Sequence, residues 1–163
     1  MDRLVCKILW IGWVFAALAC IGSAWAADNF ATKDECVEQC KKAAEYISQV
    51  GIDKALEVMN DPKGPFVWKD SYVFVADTEQ KINIAHPVKP ALNNKAWVMT
   101  VKDVNGKMFF AEFMETALSP GEGWVHYMWP KPGEQEPVPK STYIYRVPGT
   151  PYATGAGIYD NPM

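Results

Sequence analysis

Two residues have side chains suited to holding an anion. Lys140 stands where a proline-rich segment enters a predicted strand, and its ammonium group is a compact charge able to hold a carboxylate. His86 ends another predicted strand, just before Pro87, where an imidazole could donate to an anion or respond to pH. A solvated loop lysine and a structural histidine are the competing interpretations. The chemistry that these residue types support is the binding of a small acid.

Aromatic side chains on the predicted strands offer further contacts for a small molecule. Strand alternation puts Tyr127 and Trp129 on one face of the sheet. The other face receives Trp124, His126 and Met128, so the two sets cannot line one pocket. We favour Tyr127 and Trp129 as ligand contacts, because a phenol or an indole combines an apolar body with a polar tip. Tyr72 and Tyr143 could add hydroxyl groups over the sheet, and Tyr143 is the stronger candidate because it follows Lys140 closely. Packing in the core is the alternative for each of these aromatic residues.

Two cysteines lie four residues apart on a predicted helix. Cys36 and Cys40 share one helix face with a Cα separation of about 6 Å, near the upper end of disulfide geometry. The alternatives are a local disulfide, an intermolecular disulfide, a metal pair and buried thiols. Because no haem motif and no second pair at zinc spacing accompanies them, we favour reduced or locally bridged cysteines and expect no metal or cofactor.

Composition and motifs argue against several function classes. The chain has 16 basic and 19 acidic residues in 163, a net charge of −3, whereas nucleic-acid binders usually carry a basic patch. It contains no nucleophile elbow, zincin motif or paired-carboxylate pattern. We therefore expect neither an enzyme nor a nucleic-acid-binding protein.

The N-terminus has the pattern of an export signal. Basic residues in the first seven positions precede an uncharged run from Ile8 to Ala27, and Ala24-Trp25-Ala26 fits the small-x-small cleavage site. Residues 1–26 are therefore predicted to be a signal peptide cleaved after Ala26, which makes the protein periplasmic or secreted. An uncleaved membrane anchor is the main alternative, and a lipoprotein signal ending at Cys20 is a weaker one.

The remaining chain predicts an α+β fold. Thr32-Lys33-Asp34-Glu35 is a capping box that begins a long amphipathic helix, which Gly51 interrupts and Asn60 ends. Five strands of an antiparallel sheet are predicted, at about 71–76, 81–86, 123–129, 141–147 and 152–159. The helix is expected on one face of the sheet, and the segment 87–118, with a helix near its end, on the other. A pocket between that segment and the sheet follows geometrically.

Several segments in this order resemble the single Cache domain, type 2, an extracytoplasmic sensor domain with a PAS-like fold. The resemblance spans about residues 32–159, so residues 27–163 are expected to form one such domain. The segments that carry it are Asn60-Asp61-Pro62-Lys63-Gly64, Tyr72-Val73-Phe74-Val75, Ala85-His86-Pro87, Gly121-Glu122-Gly123-Trp124-Val125, Trp129-Pro130, Lys140-Ser141-Thr142-Tyr143 and Gly155-Ala156-Gly157-Ile158-Tyr159.

The resemblance implies a sensory function. Members of the family bind small metabolites, often short carboxylates, over the sheet, so the expected ligand contacts are Tyr72, His86, Tyr127, Trp129, Lys140 and Tyr143. They are usually attached to a chemoreceptor or a sensor histidine kinase. Because this sequence ends at Met163 without an output domain, we expect it to act as a stand-alone ligand-binding domain. The alternative is an accessory or structural protein that dimerises, or docks on a membrane sensor, through its cysteine-bearing N-terminal helix.

Overall fold

The computed structural model describes residues 29–160, so the predicted signal peptide lies outside the described residues. Helix α1 (Lys33–Val50) begins at the predicted capping box, in which the Thr32 side chain accepts from the Glu35 backbone and the Glu35 side chain accepts from the Thr32 backbone. Gly51, with φ of 81°, separates α1 from α2 (Ile52–Met59). The predicted interruption is therefore confirmed as a break between two helices. Neither these nor the later described helix is long and apolar enough to cross a membrane.

The sheet has six strands where the sequence predicts five. Their bounds are β1 (Val67–Trp68), β2 (Ser71–Asp77), β3 (Ile82–Ala85), β4 (Glu122–Pro130), β5 (Pro137–Arg146) and β6 (Tyr152–Tyr159). The additional strand, β1, has only two residues, too few to give a periodic pattern. The sequence also predicts a loop over residues 130–139, but its last three residues extend β5 because they pair with the end of β4.

Strand order places the last of these strands in the middle of the sheet. All pairs are antiparallel in the order β1-β2-β6-β5-β4, and β3 pairs with the end of β2 as the predicted hairpin. Strand β6 is rich in glycine and alanine, so large side chains from its neighbours can cross over it. A Cβ at Gly157 would lie 2.7 Å from the Lys140 side chain, and the ring of Phe74 occupies the corresponding space above Gly155.

Each face of the sheet carries its own apolar core, as the sequence predicts. Helices α1 and α2 cover one face, where Cys36, Cys40 and Tyr143 are buried. The segment between β3 and β4 covers the other face with short 3₁₀ turns at Pro90–Leu92 and Ala96–Thr100 and with helix α3 (Phe109–Leu118). The α+β fold class is confirmed, and the second face is the one that contains a cavity.

Candidate functional site

A small cavity lies between the sheet and the segment that covers its second face. Four of the six predicted ligand contacts line it, namely Tyr72, His86, Tyr127 and Trp129. Most of the remaining wall is apolar, with phenylalanines from β2 and α3. The space open to the centre of a water-sized sphere is about 30 Å³, room for about two or three water molecules. A compound of a few non-hydrogen atoms fits this volume.

Lys140 lies directly behind Tyr72 and does not itself line the cavity. Its side chain, only 2% exposed, crosses β6 above Gly157 and donates from Nζ to the hydroxyls of Tyr72 (3.1 Å) and Tyr159 (3.0 Å). The same Nζ lies 4.4 Å and 4.5 Å from the centroids of those two rings. No carboxylate within residues 29–160 forms an ion pair with it. Burying a cation without an anionic partner costs free energy. Tyr72 connects this cation to the cavity, because its hydroxyl accepts from Nζ and the residue lines the cavity.

His86 presents a neutral hydrogen-bond donor to the cavity. Its Nδ1 accepts from the backbone N–H of Lys89 at 3.0 Å, so the proton of the neutral ring is on Nε2. Burial, reinforced by the positive charges of Lys140 and Lys89, lowers the pKa of His86 to about 3. The imidazole ring lies 4.8 Å from the ring of Tyr72, which brings the two predicted donors side by side.

Tyr127 and Trp129 form the aromatic wall that strand alternation predicts. Tyr127 stacks on Phe109 with 4.4 Å between ring centroids, and its hydroxyl shares a 3.1 Å hydrogen bond with Thr142. Trp129 meets the edge of Phe109, and the Nζ of Lys89 lies 4.3 Å from its ring centroid. Lys89 is a second cation near the cavity that sequence reasoning missed. The indication of Lys89 in the sequence is its position three residues after His86.

Tyr143 does not reach the cavity, which corrects its assignment as a ligand contact. It is three positions beyond Lys140, and an odd separation along a strand turns a side chain to the opposite face. There it packs beside Trp124, and its hydroxyl donates to the carboxylate of Glu122. This contact and burial both raise the pKa of Tyr143, burial the more strongly.

The two cysteines are buried free thiols on the helix face of the sheet. The Sγ of Cys36 lies 3.9 Å from the hydroxyl of Ser71, and the Sγ of Cys40 donates to the carbonyl of Tyr143 at 3.6 Å. Burial raises the pKa of Cys36 to about 11 and that of Cys40 further still. Among the alternatives left open by the sequence, the structure therefore favours buried thiols over a local or intermolecular disulfide.

Asn83, on β3, is a further cavity residue that the sequence does not reveal. It is 2% exposed and lines the cavity, and its Nδ2 donates to the carbonyl of Ala85 and to Oδ1 of Asn93. Its own Oδ1 is buried and has no hydrogen-bond partner among the described residues. No periodicity or motif marks Asn83 as a cavity residue. An asparagine in a strand of four residues is equally compatible with a position on the surface near a turn.

Comparison with protein families gives the chain a place among known proteins. A family model described as a Cache domain matches residues 42–163, about three quarters of the chain. This chain belongs to the Cache domain family. The resemblance drawn from the sequence is thereby confirmed, and the Cache fold accounts for the arrangement of helices, sheet and covering segment.

Characterised relatives of this Cache domain are sensory proteins. The methyl-accepting chemotaxis protein McpP of Pseudomonas putida is 34% identical over 90 residues, which are 55% of this chain and 16% of that protein. The sensor histidine kinase MctS of Rhizobium johnstonii is 30% identical over 91 residues, 56% of this chain and 19% of that protein. The chain thus spans less than a fifth of the length of either relative.

A solved Cache chemosensory domain, studied for carboxylic acid recognition, has the same fold. It superposes with a TM-score of 0.65 at 24% identity, covering 78% of this chain and 92% of the solved one. This chain is therefore a Cache sensory domain homologous to domains of chemoreceptors and sensor kinases.

Proposed function

We propose that this Cache domain binds a short organic carboxylate in the cavity between the sheet and α3. The observation that carries the proposal is the buried ammonium of Lys140, which has no carboxylate partner among residues 29–160. A carboxylate in the cavity would supply the missing negative charge, because low-dielectric surroundings strengthen such an attraction.

Two donors stand ready to hold the carboxylate. The Tyr72 hydroxyl oxygen accepts from Lys140, so its own proton can be donated towards the cavity, and the cation behind it makes the phenol a better donor. Nε2–H of His86 lies beside it. Lys89, whose pKa is lowered by burial and by the charge of Lys140, adds a second positive charge near Trp129.

Cavity size restricts the ligand to small acids. Covalently bonded atoms lie closer together than neighbouring waters, so space for about two or three waters fits an acid of two or three carbons. The apolar wall suits a short alkyl group. The solved domain studied for carboxylic acid recognition concerns the same class of compound, although its 24% identity shows the fold alone.

Titration calorimetry with acetate and propanoate tests the proposal. The purified chain is expected to bind at least one of them, and His86→Gln is expected to weaken the binding because Nε2–H is lost from the cavity. His126→Gln is the matched control, since His126 is exposed on β4. Absence of heat for both acids with a folded protein would refute carboxylate binding.

The proposed setting is outside the cytoplasm, where Cache domains of this type lie. We expect residues 1–26 to be removed as a signal peptide, so the mature chain starts at Ala27. Intact-mass measurement of the exported protein distinguishes this form from an anchored one that retains the segment.

The proposed role is sensory rather than enzymatic, and a chemoreceptor or sensor kinase is the proposed partner in signalling.

Docking through α1 is the second proposed function. The outward side of α1 borders a groove of about 480 Å³ through Lys42, Glu45 and Tyr46. The turn at Pro65 and Phe66 forms the opposite border. Such a groove could receive a second copy of the domain or a membrane sensor. The buried cysteines cannot lock this contact, so any docking here is noncovalent. Sedimentation of the wild type and of a Tyr46→Glu variant tests whether the domain dimerises through this groove. A wild-type protein that is monomeric and does not bind a membrane sensor would refute docking through α1.

A further inference from the structure

The cavity comes closest to solvent between β4 and the covering segment that joins β3 to β4. Of the described residues that line it, three are partly exposed, namely Leu92, Val101 and Trp129, and the others are buried. Leu92 and Val101 belong to the covering segment, whereas Trp129 is at the end of β4. The path from solvent into the cavity therefore runs between these two elements.

The side chain of Lys89 crosses this path. Its Nζ lies 4.3 Å from the centroid of the Trp129 ring, which is a cation–π contact between the covering segment and β4. The carbonyl of Lys89 accepts from the backbone N–H of Leu92 at 3.0 Å, so Leu92 lies within one turn of the same residue. One side chain thus joins the two partly exposed walls of the cavity.

The main chain of Lys89 makes a separate contact. Its backbone N–H donates to Nδ1 of His86 at 3.0 Å, which holds the imidazole ring in place. This bond does not depend on the side chain at position 89. A substitution of Lys89 can therefore release Trp129 while the hydrogen bond to His86 is retained.

The middle of the covering segment has few ties to the rest of the domain. At one end, the backbone N–H of Asn94 donates to the carbonyl of Asn83 at 2.7 Å. At the other end, Asp103 accepts from the backbone N–H of Met128 at 3.0 Å. Between these anchors, the hydrogen bonds of residues 95–102 in the described structure all join residues of that same stretch. Segments with so few bonds to neighbouring elements open locally at low free-energy cost.

We infer that Lys89 and Trp129 form a gate that controls the entry and exit of the ligand. In the closed state described here, the cation–π contact holds the covering segment against β4. The gate opens when the ammonium group leaves the indole ring and the middle of the segment moves away from the sheet. This inference rests on the proposed function for the nature of the ligand, although opening can be measured without a ligand.

Native-state hydrogen exchange of the full chain measures opening directly. The backbone N–H groups of Leu92 and Val98 are bonded within the covering segment, so movement of the segment exposes them. We expect both to exchange about two- to tenfold faster in Lys89→Met, the factor that the loss of one cation–π contact corresponds to. Val73, which is buried on β2, provides an internal reference whose exchange should not change.

The binding kinetics of acetate, from NMR line shapes, distinguish a gate from a charge that merely attracts the ligand. A gate that opens more often lets acetate enter and leave faster, so both kon and koff are expected to rise about two- to tenfold in Lys89→Met. Loss of an attractive charge alone would instead lower kon, because electrostatic steering accelerates association. The direction of the change in kon therefore separates the two roles.

Two variants are the matched controls. Lys89→Arg keeps a cation that can lie over the indole ring, so we expect the exchange rates and kon of the wild type. Lys95→Met removes the same charge from an exposed position on the same segment, so amide exchange should not change and kon should not rise. Circular dichroism verifies that each variant is folded. If Lys89→Met does not fold, Trp129→Leu removes the other partner and should accelerate the exchange of Leu92 and Val98 equally.

The outcomes separate the gate from the proposed function. Unchanged amide exchange in Lys89→Met would overturn the gate and leave carboxylate binding intact. Faster exchange with an unchanged or lower kon would also overturn it, because the contact would then hold the segment without limiting entry. Failure of both acetate and propanoate to bind the wild type would overturn the proposed function, whereas the exchange measurement would still decide whether Lys89 keeps the segment closed.

Discussion

Replacing Lys140 with methionine should nearly abolish carboxylate binding without unfolding the domain. Nζ lies 3.1 Å from the Tyr72 hydroxyl oxygen, and a carboxylate bonded to that hydroxyl would lie about 2.7 Å further on. The charges would then be separated by about 5 to 6 Å. At an effective dielectric constant of about 20, this corresponds to about 3 kcal/mol, or about a hundredfold in affinity. Methionine has a similar unbranched stem, so packing above Gly157 is retained.

Calorimetric Kd values for acetate provide the assay, with Lys54→Met as the control. Lys54 is exposed on α2, far in the fold from the cavity face, so its replacement should leave the affinity unchanged. The effect of Lys140 should also persist at high salt, since buried charges are screened much less than exposed ones. A folded Lys140→Met protein whose Kd differs less than threefold from the wild type would refute the reasoning that the buried cation drives binding.

Three further perturbations follow from the same geometry. Because the pKa of His86 is lowered to about 3 from 6.5, the unfolded chain binds a proton that the folded one does not between those values. The unfolding free energy is therefore highest above pH 6.5 and falls by up to about 1.4 kcal/mol per pH unit between pH 6.5 and about 3. Urea titrations should show a smaller pH dependence of the unfolding free energy in His86→Gln. Gly157→Ala places a Cβ 2.7 Å from the Lys140 side chain, so we expect a loss of about 1–3 kcal/mol in unfolding free energy together with weaker acetate binding; an unchanged melting temperature would contradict this overpacking. Cys36 and Cys40 should resist a thiol reagent in the native protein and react in urea, and rapid native labelling of either would show that the helix face is open.

Local patterns in the sequence were sufficient for most of the fold. The capping box at Thr32 and the break at Gly51 depend on neighbouring residues alone, so both could be predicted. Strand alternation likewise placed Tyr127 and Trp129 on the cavity face. The two-residue strand β1 was missed because a pattern so short has no period.

The candidate site was predictable only in part, because it depends on long-range contacts. Tyr143 was assigned to the cavity on its closeness to Lys140 in sequence, although an odd separation along a strand turns it to the helix face. Lys140 itself reaches Tyr72 only because β6 lies between their strands and has a glycine at the crossing point. The unmet acceptor of Asn83 results from the hydrogen bonds of its amide, which no sequence pattern specifies.

The position of β6 has a consequence for how the chain folds as it is made. This strand is the most C-terminal of those described, yet it is the one that joins β2 to β5. A polypeptide that emerges N-terminus first, from a ribosome or through an export channel, therefore has two separate half-sheets until residues 152–159 arrive. Such late, non-local closure slows folding and keeps the nascent chain open. For the proposed export across a membrane, delayed closure preserves translocation competence until almost the whole domain has passed.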